Sequence, residues 1–487
     1  MNPLLITDGY KVDHRRQYPE GTTLVYSNWT PRKSRIEAID EVVFFGLQYF
    51  IKRYILESFD TDFFQKPKEE VVKQYSRRIN HYLGPNAVGE QHIEALHNLG
   101  YIPMVFKALP EGSRVPVRVP MFTMHNTLPE FFWLTNYFET LISAVIWQPC
   151  TSATIALQYR KMLDQFALET SSTPEFVDWQ AHDFSMRGMG GIDAAMSSGA
   201  AHLLSFKGTD TIPAIDFLES WYQANTENEL IGGSVAATEH SVMCMGTTEG
   251  EFETFRRLIQ DIYPSGIVSI VSDTWDLWKV LTDYLPRLRN DIQARPGKVV
   301  IRPDSGDPVD ILCGNPHASN EAARKGVVAL LWDVFGGHVN EKGYKELAPC
   351  VGTIYGDSIT FDRAQSICER LKQQGFASTN VVLGVGSFTY QYNTRDTFGF
   401  AMKATYGEVN GEGRAIFKDP VTDDGTKKSA RGLIKITLEK GKYQIQDNVS
   451  WEEEAQGELR EIFRDGKLLA DQTLSEIRER MRQHHVC

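Results

Sequence analysis

Between residues 182 and 387 short apolar runs break repeatedly into glycine, serine and an ionisable side chain: HDFSMRGMGG (182–191), FKGTDT (206–211), ATEHS (237–241), SIVSDTWD (269–276), VVIRPDSGDP (299–308), TIYGDS (353–358) and VVLGVGS (381–387). Arg302 offers a fork for phosphate oxygens, and Asp304 and Asp307, bracketing a Ser-Gly turn, offer carboxylates for sugar hydroxyls or Mg²⁺. Gly356-Asp357 and Gly384-Val385-Gly386-Ser387 repeat the theme, because glycine exposes backbone N–H groups and a helix start attracts phosphate. His240 follows the small residues of GGSVAATEHSVM (232–243), which let backbone and ligand approach closely. Side chains at adjacent positions diverge on a helix, so the carboxylate that orients the His240 ring need not be Glu239; Asp273 is a candidate.

Each residue also has a plainer reading. Arg302 and Asp304 could form an internal pair, GxGS a tight turn, and His240 a satisfied core histidine. Asp183 and Asp210 could cap helices, Phe184 and Tyr10 could be core aromatics, and Arg32, Lys33 and Arg35 a solvated cluster. The spacing changes the balance. Apart from one longer gap after Asp304, successive phrases lie roughly 30 residues apart, the length of one βα unit. In an α/β barrel the C-terminal strand ends form one rim, so these groups would face a single pocket. A P-loop, a GxGxxG fingerprint and an HExxH pair are all missing from the sequence.

The elements that must position this rim read as an α/β, barrel-like domain over 151–390. It is inserted in a mixed, strand-rich α+β domain built discontinuously from 1–150 and 391–487. TTLVYSNW (22–29), FGFAMKATYG and GLIKITLEKGKYQIQ read as strands, and LSEIRERMRQ (474–483) as a charged helix. Residues 129–147 read as an apolar helix, with Leu134, Tyr137, Phe138, Leu141, Ile142 and Val145 on one face.

A chain of 487 residues with net charge −12 has no general grip on nucleic acid, so any anionic ligand must be met by local cations. The six cysteines form no CxxC pair, which points to a reducing cytoplasm. Neither a signal peptide nor an apolar run of roughly 20 residues is evident, and no membrane contact is expected.

The ordered set TDGYKVDHRRQYP (7–19), FFGLQY (44–49), WLTNYFET (133–140), HDFSMRG, FKGTDT, EHS, VSDTWD, IRPDSGDP, GDS and FKDP (417–420) resembles the nicotinamide phosphoribosyltransferases, pentosyltransferases of the type II phosphoribosyltransferase family. The resemblance runs from about residue 5 to near the C-terminus. It implies transfer of phosphoribosyl from 5-phosphoribosyl pyrophosphate to nicotinamide, giving nicotinamide mononucleotide and pyrophosphate in NAD salvage. The pyridine nitrogen attacks the anomeric carbon as pyrophosphate leaves, a task of positioning and charge stabilisation.

Carried over by position, the resemblance implies that Phe184 and, from a second subunit, Tyr10 stack on the pyridine ring. Asp210 accepts from the carboxamide and would repel nicotinate. Arg187 orients base or phosphate. Arg302, Asp304, Ser269, Gly356, Asp357, Gly386, Ser387 and Arg395 contact the phosphoribosyl group. Arg32, Lys403 and Lys427 (or its neighbour Lys428) reach phosphates across a homodimer. His240 is phosphorylated by ATP, with Asp273 and Asp304 in the catalytic set and Asp273 and Asp357 as Mg²⁺ ligands. Rival readings are a nicotinate phosphoribosyltransferase and, from another class, a non-catalytic nucleotide-binding or signalling protein. A TIM-barrel sugar-phosphate enzyme would need a proton-transfer pair that the sequence does not single out.

Overall fold

The strand near the start of the chain pairs with one almost 380 residues later. Thr22–Pro31 lies antiparallel between Phe400–Val409 and Phe122–Asn126 in a seven-stranded sheet, which continues through Met104–Ala108 and Arg460–Arg464 to Lys467–Leu468. Its core is aromatic: buried Trp29 stacks on Phe400 at 5.6 Å and on Phe122 at 6.2 Å. The computed structural model describes residues 1–84, 88–356, 358–417 and 430–483. The chain divides into two units, one of Met1–Thr154, Leu218–Ala224 and Asn393–Cys487, the other of Ile155–Phe217 and Asn225–Tyr392.

Two features depart from expectation. The helical pattern at 129–147 resolves into a turn at Pro129–Phe131, a short helix Leu134–Tyr137, and a helix Glu139–Thr170 of 32 residues that runs through Pro149. Its first half (Ile142, Ile146, Cys150) packs into one core and its second (Tyr159, Leu163, Ala167) into the other, so the boundary read at 150 falls inside a helix. By length and composition this helix could cross a membrane, yet 72% of its most apolar 18-residue window is buried, as befits a core helix. Residues Leu218–Ala224, within the stretch read as barrel, belong to the first unit. Two aromatics explain this: Tyr222 packs on Phe45 at 4.9 Å and donates its hydroxyl to Glu111 at 2.8 Å, and Trp221 meets Tyr49 at 5.6 Å.

The second unit carries seven parallel strands: β1 (Ala181–Asp183), β2 (Gly208–Thr209), β3 (Ala236–Ala237), β4 (Gly266–Val271), β5 (Gly297–Arg302), β6 (Val351–Tyr355) and β7 (Val381–Val385), in the order β2-β1-β7-β6-β5-β4-β3. Every one of the seven phrases lies at a strand end. The two sheet edges meet through one isolated bridge between Gly208 and Gly233, where Thr209 N donates to Gly233 O at 3.0 Å and Gly233 N to Lys207 O at 2.8 Å. The sheet is therefore curled into a barrel. Alternation does the sorting: Val268, Ile270, Val299 and Ile301 are fully buried in the unit's core, with Leu285, Leu331 and Ile367 from the helices, which sends Ser269 and Arg302 to the opposite face. The long gap after Asp304 is filled by helices Pro308–Cys313, Glu321–Lys325 and Val327–Phe335 and a small hairpin.

Candidate active site

The loop after β1 is built on a buried carboxylate. Asp183 Oδ1 accepts from Ser185 N (2.9 Å) and Oγ (2.6 Å), and Oδ2 from the hydroxyls of Thr211 (2.7 Å) and Thr209 (3.2 Å). Asp183 thus knots the ends of β1 and β2 together. Phe184 next to it, its N–H bonded to Val385 O at 2.9 Å, faces a cleft of about 520 Å³ that Met186, Arg187, Ile192 and Asp210 also line.

Asp210 stands at the tip of β2 with its backbone N–H on Asp183 O at 2.9 Å. Its Oδ1 accepts from His182 Nε2 at 2.7 Å and from Ser234 Oγ at 2.6 Å. Burial alone would raise its pKa, but hydrogen bonds from His182 and Ser234, with the charges of His182 and Arg302, hold it below the usual carboxylate value. Ionised, it only accepts hydrogen bonds, so His182 donates from Nε2. The His182 ring leans on Phe184 at 4.6 Å. Behind β2, buried His202 donates from Nε2 to Gly208 O (3.0 Å) and accepts at Nδ1 from the Tyr390 hydroxyl (2.6 Å), and burial holds its pKa below the ordinary value.

The other side of the rim gathers charge. Arg302, ending β5, donates from Nη2 to Thr238 O at 2.8 Å, and its Nε lies 3.8 Å from Asp304 Oδ2. Asp273, its side chain 5% exposed, accepts from Asp304 N at 3.0 Å and lies 3.4 Å from His240 Nε2. His240 opens the helix His240–Met245 half-exposed. Three buried polar atoms here, Arg302 Nε, Asp273 Oδ1 and Ser269 Oγ, have no hydrogen-bond partner. Each such group costs about 1–3 kcal/mol, which a ligand could recover.

Glycines let the loops meet. A Cβ on Gly356 would fall 2.7 Å from Asp304 Oδ1, and one on Gly384 2.7 Å from both Gly356 Cα and Phe184 Cδ2. Ser387 follows Gly386 into a short helix and packs on Gly188, while Gly190 N donates to Gln391 Oε1 at 2.8 Å. Contacts therefore run from Ser234 and Asp210 through His182, Phe184, Gly356 and Asp304 to Asp273 and His240.

Tyr10, Arg32, Arg395 and Lys403 lie in the other unit. Tyr10 is 62% exposed on the turn Gly9–Asp13, with Lys11 Nζ 4.9 Å from its ring and that ammonium bonded to Glu139. Desolvation pushes the Lys403 ammonium down, and the charges of Arg32, Arg395 and Lys11 push it further, so these cations share one neighbourhood. Asp357, Lys427 and Lys428 fall outside the described residues.

Sequence reasoning passed over His182, Ser234 and Thr238. His182 stands in a quoted phrase beside Asp183, and a histidine at the end of a buried strand, one strand from Asp210, was the available signal; Ser234 and Thr238, ordinary loop residues, gave none.

Residues 179–467 match the model of the nicotinate phosphoribosyltransferase (NAPRTase) family, and residues 2–96 that of the nicotinamide phosphoribosyltransferase N-terminal domain. A nicotinamide phosphoribosyltransferase of Acinetobacter baylyi is 54% identical, the match covering 99% of this chain and 97% of that protein. Its counterpart in Mycoplasma pneumoniae is 36% identical over 88% of this chain and 94% of its own. Among solved structures, a nicotinate-nucleotide pyrophosphorylase from Pyrococcus furiosus superposes with TM-score 0.57 at 13% identity, covering 99% of this chain and 95% of that one. Human nicotinic acid phosphoribosyltransferase superposes with TM-score 0.52, also at 13%, covering 98% and 93%. These two show a shared fold.

Proposed function

The chain belongs to the nicotinate phosphoribosyltransferase family, and from that premise we propose that it joins nicotinamide to the phosphoribosyl group of 5-phosphoribosyl pyrophosphate, releasing pyrophosphate and feeding NAD synthesis. The observation that carries the choice of base is the Asp210 carboxylate, held ionised at the cleft by His182 and Ser234. A carboxylate accepts from an amide NH₂ and repels the carboxylate of nicotinate. Phe184 supplies a flat face for the ring, and Arg187 a cation at the mouth. Once the base is stacked and its amide held, the pyridine nitrogen is presented to the anomeric carbon. Arg302, whose Nε has an ion-pair neighbour in Asp304 but no hydrogen-bond partner, and Ser269, whose hydroxyl has none, bind phosphoribosyl oxygens, and Gly356 and Gly386-Ser387 expose backbone to them.

No group of three His, Cys, Asp or Glu side chains able to hold a metal occurs among the described residues. Mg²⁺ on phosphate substrates takes only one or two protein carboxylates, and Asp273 Oδ1, buried and without a hydrogen-bond partner, fits that part. Asp273 and Asp357 would hold it, and it would neutralise the leaving pyrophosphate. ATP transfers its terminal phosphoryl group to the His240 ring and leaves as ADP, with the Asp273 carboxylate 3.4 Å from Nε2. The added negative charge couples ATP to substrate binding. Tyr10, Arg32, Arg395, Lys403 and Lys427 complete the site from a second subunit of a homodimer. A cytoplasmic setting accords with the five described cysteines, all free thiols.

The deciding experiment incubates the protein with labelled nicotinamide or nicotinate, 5-phosphoribosyl pyrophosphate and Mg²⁺, with and without ATP. Nicotinamide mononucleotide is expected as the main product; preferential use of nicotinate would overturn the assignment.

A further inference from the structure

One oxygen of Asp210 receives two donors while the other receives none from the described residues: His182 Nε2 and Ser234 Oγ both bind Oδ1, at 2.7 and 2.6 Å. They come from different segments, His182 from β1 and Ser234 from the loop before β3, so the carboxylate is gripped beside the point where the barrel edges meet. We infer that His182 and Ser234 are specificity-determining positioning residues, which by jointly occupying Oδ1 turn Oδ2 toward the cleft as the acceptor for the base's amide. The inference rests on the reading of this cleft as the base site.

The physical argument has two parts. An ionised carboxylate can accept from about four directions, and a free one rotates; two donors on one oxygen fix its plane and leave the other oxygen's lone pairs to the ligand. The same donors also keep Asp210 ionised. A protonated Asp210 would carry an O–H, able to donate to the carboxylate of nicotinate, and discrimination would weaken. His182 is itself held: its ring rests against Phe184 at 4.6 Å, and its Nδ1 edge abuts Gly208, where an added Cβ would fall 2.7 Å away. Rejection of the acid is thus a property of three side chains, one on β1 and two on loops beside β2 and β3.

The test is steady-state kinetics with nicotinamide and with nicotinate at saturating 5-phosphoribosyl pyrophosphate, for wild type, His182→Ala, His182→Gln and Ser234→Ala. Wild-type turnover of nicotinamide checks the functional reading separately from the variants. His182→Ala should raise KM for nicotinamide about tenfold, leave kcat nearly unchanged, and narrow the preference for nicotinamide over nicotinate by a similar factor. His182→Gln, which restores an N–H at comparable reach, should recover most of the loss. Ser234→Ala should show the same pattern at about threefold. An unchanged base preference in His182→Ala, a loss confined to kcat, or a His182→Gln no better than the alanine variant would overturn it. Should His182→Ala fail to fold, an unaltered preference in Ser234→Ala would overturn it equally.

Discussion

Replacing Gly384 with alanine puts a methyl group where the fold has no room. Its Cβ would lie 2.7 Å from Gly356 Cα, 2.7 Å from Phe184 Cδ2 and 2.9 Å from Phe184 Cε2. Carbon atoms in contact settle about 3.5–4.0 Å apart, so the overlap is about 1 Å against backbone on one side and a ring on the other. Gly356 meets the new methyl with main chain, which is harder to displace than a ring, so Phe184 is the partner that yields. With its N–H tied to Val385 O, the ring can move only by swinging away from β7. Overpacking of this size costs about 1–3 kcal/mol of stability. A displaced stacking partner costs about 0.5–1.5 kcal/mol of binding, or about a 2- to 10-fold rise in KM for nicotinamide. The assay pairs thermal unfolding with KM for both substrates. A wild-type midpoint and wild-type KM for nicotinamide would refute the wedge argument. An equal rise in KM for 5-phosphoribosyl pyrophosphate would refute the stacking role of Phe184.

Four further outcomes are expected. Asp210→Asn removes the charge that repels nicotinate and should raise kcat/KM for nicotinate relative to nicotinamide by about tenfold or more, a modest figure because this half-exposed site is screened; competition between the two bases measures it. His240→Ala should retain basal synthesis and lose the ATP-dependent gain, with Asp273→Asn losing much of it too, as read by initial rates with and without ATP. Glu111 is fully buried and accepts from Gly46 N, Gln48 N and the Tyr222 hydroxyl at 2.9, 2.6 and 2.8 Å; Glu111→Ala strands all three and should cost about 3–5 kcal/mol, visible as a lower unfolding midpoint. His125 is pushed down to about 3, by burial first and then by Lys107 and Arg464, whereas an unfolded imidazole titrates near about 6.5. Between those values the unfolded chain binds the extra proton, so stability should fall as pH drops below about 6.5, by up to about 1.4 kcal/mol per unit; His125→Gln should flatten that slope in denaturant titrations.

The ends of β4, β5, β6 and β7 were legible because each combines a β-branched run with a breaker, a signal local to ten residues. Convergence of the rim followed from spacing; the divergence of adjacent side chains only turned the search away from Glu239, with Asp273, which lies 3.4 Å from His240, as one candidate. The extent of Glu139–Thr170 was not legible, because Pro149 reads as a stop unless both cores that hold the helix are known. Nor was the excursion of Leu218–Ala224, whose reason is a carboxylate at Glu111, more than a hundred residues away in sequence. His182 was passed over although a histidine ends a buried strand in the quoted phrase, because its partner Asp210 lies one strand over and neither phrase alone names the pair.

The single bridge between Gly208 and Gly233 works like the clasp of a bracelet. Two backbone hydrogen bonds join the two-residue strand Gly208–Thr209 to the loop residue Gly233, where the ladder between β4 and β5 runs to six pairs. This is the barrel's thinnest seam, and Asp210 and Ser234 sit on its two lips, tied to each other. The carboxylate proposed to hold the base is therefore also part of the fastening, so one side chain serves both the ring's site and the clasp of the sheet.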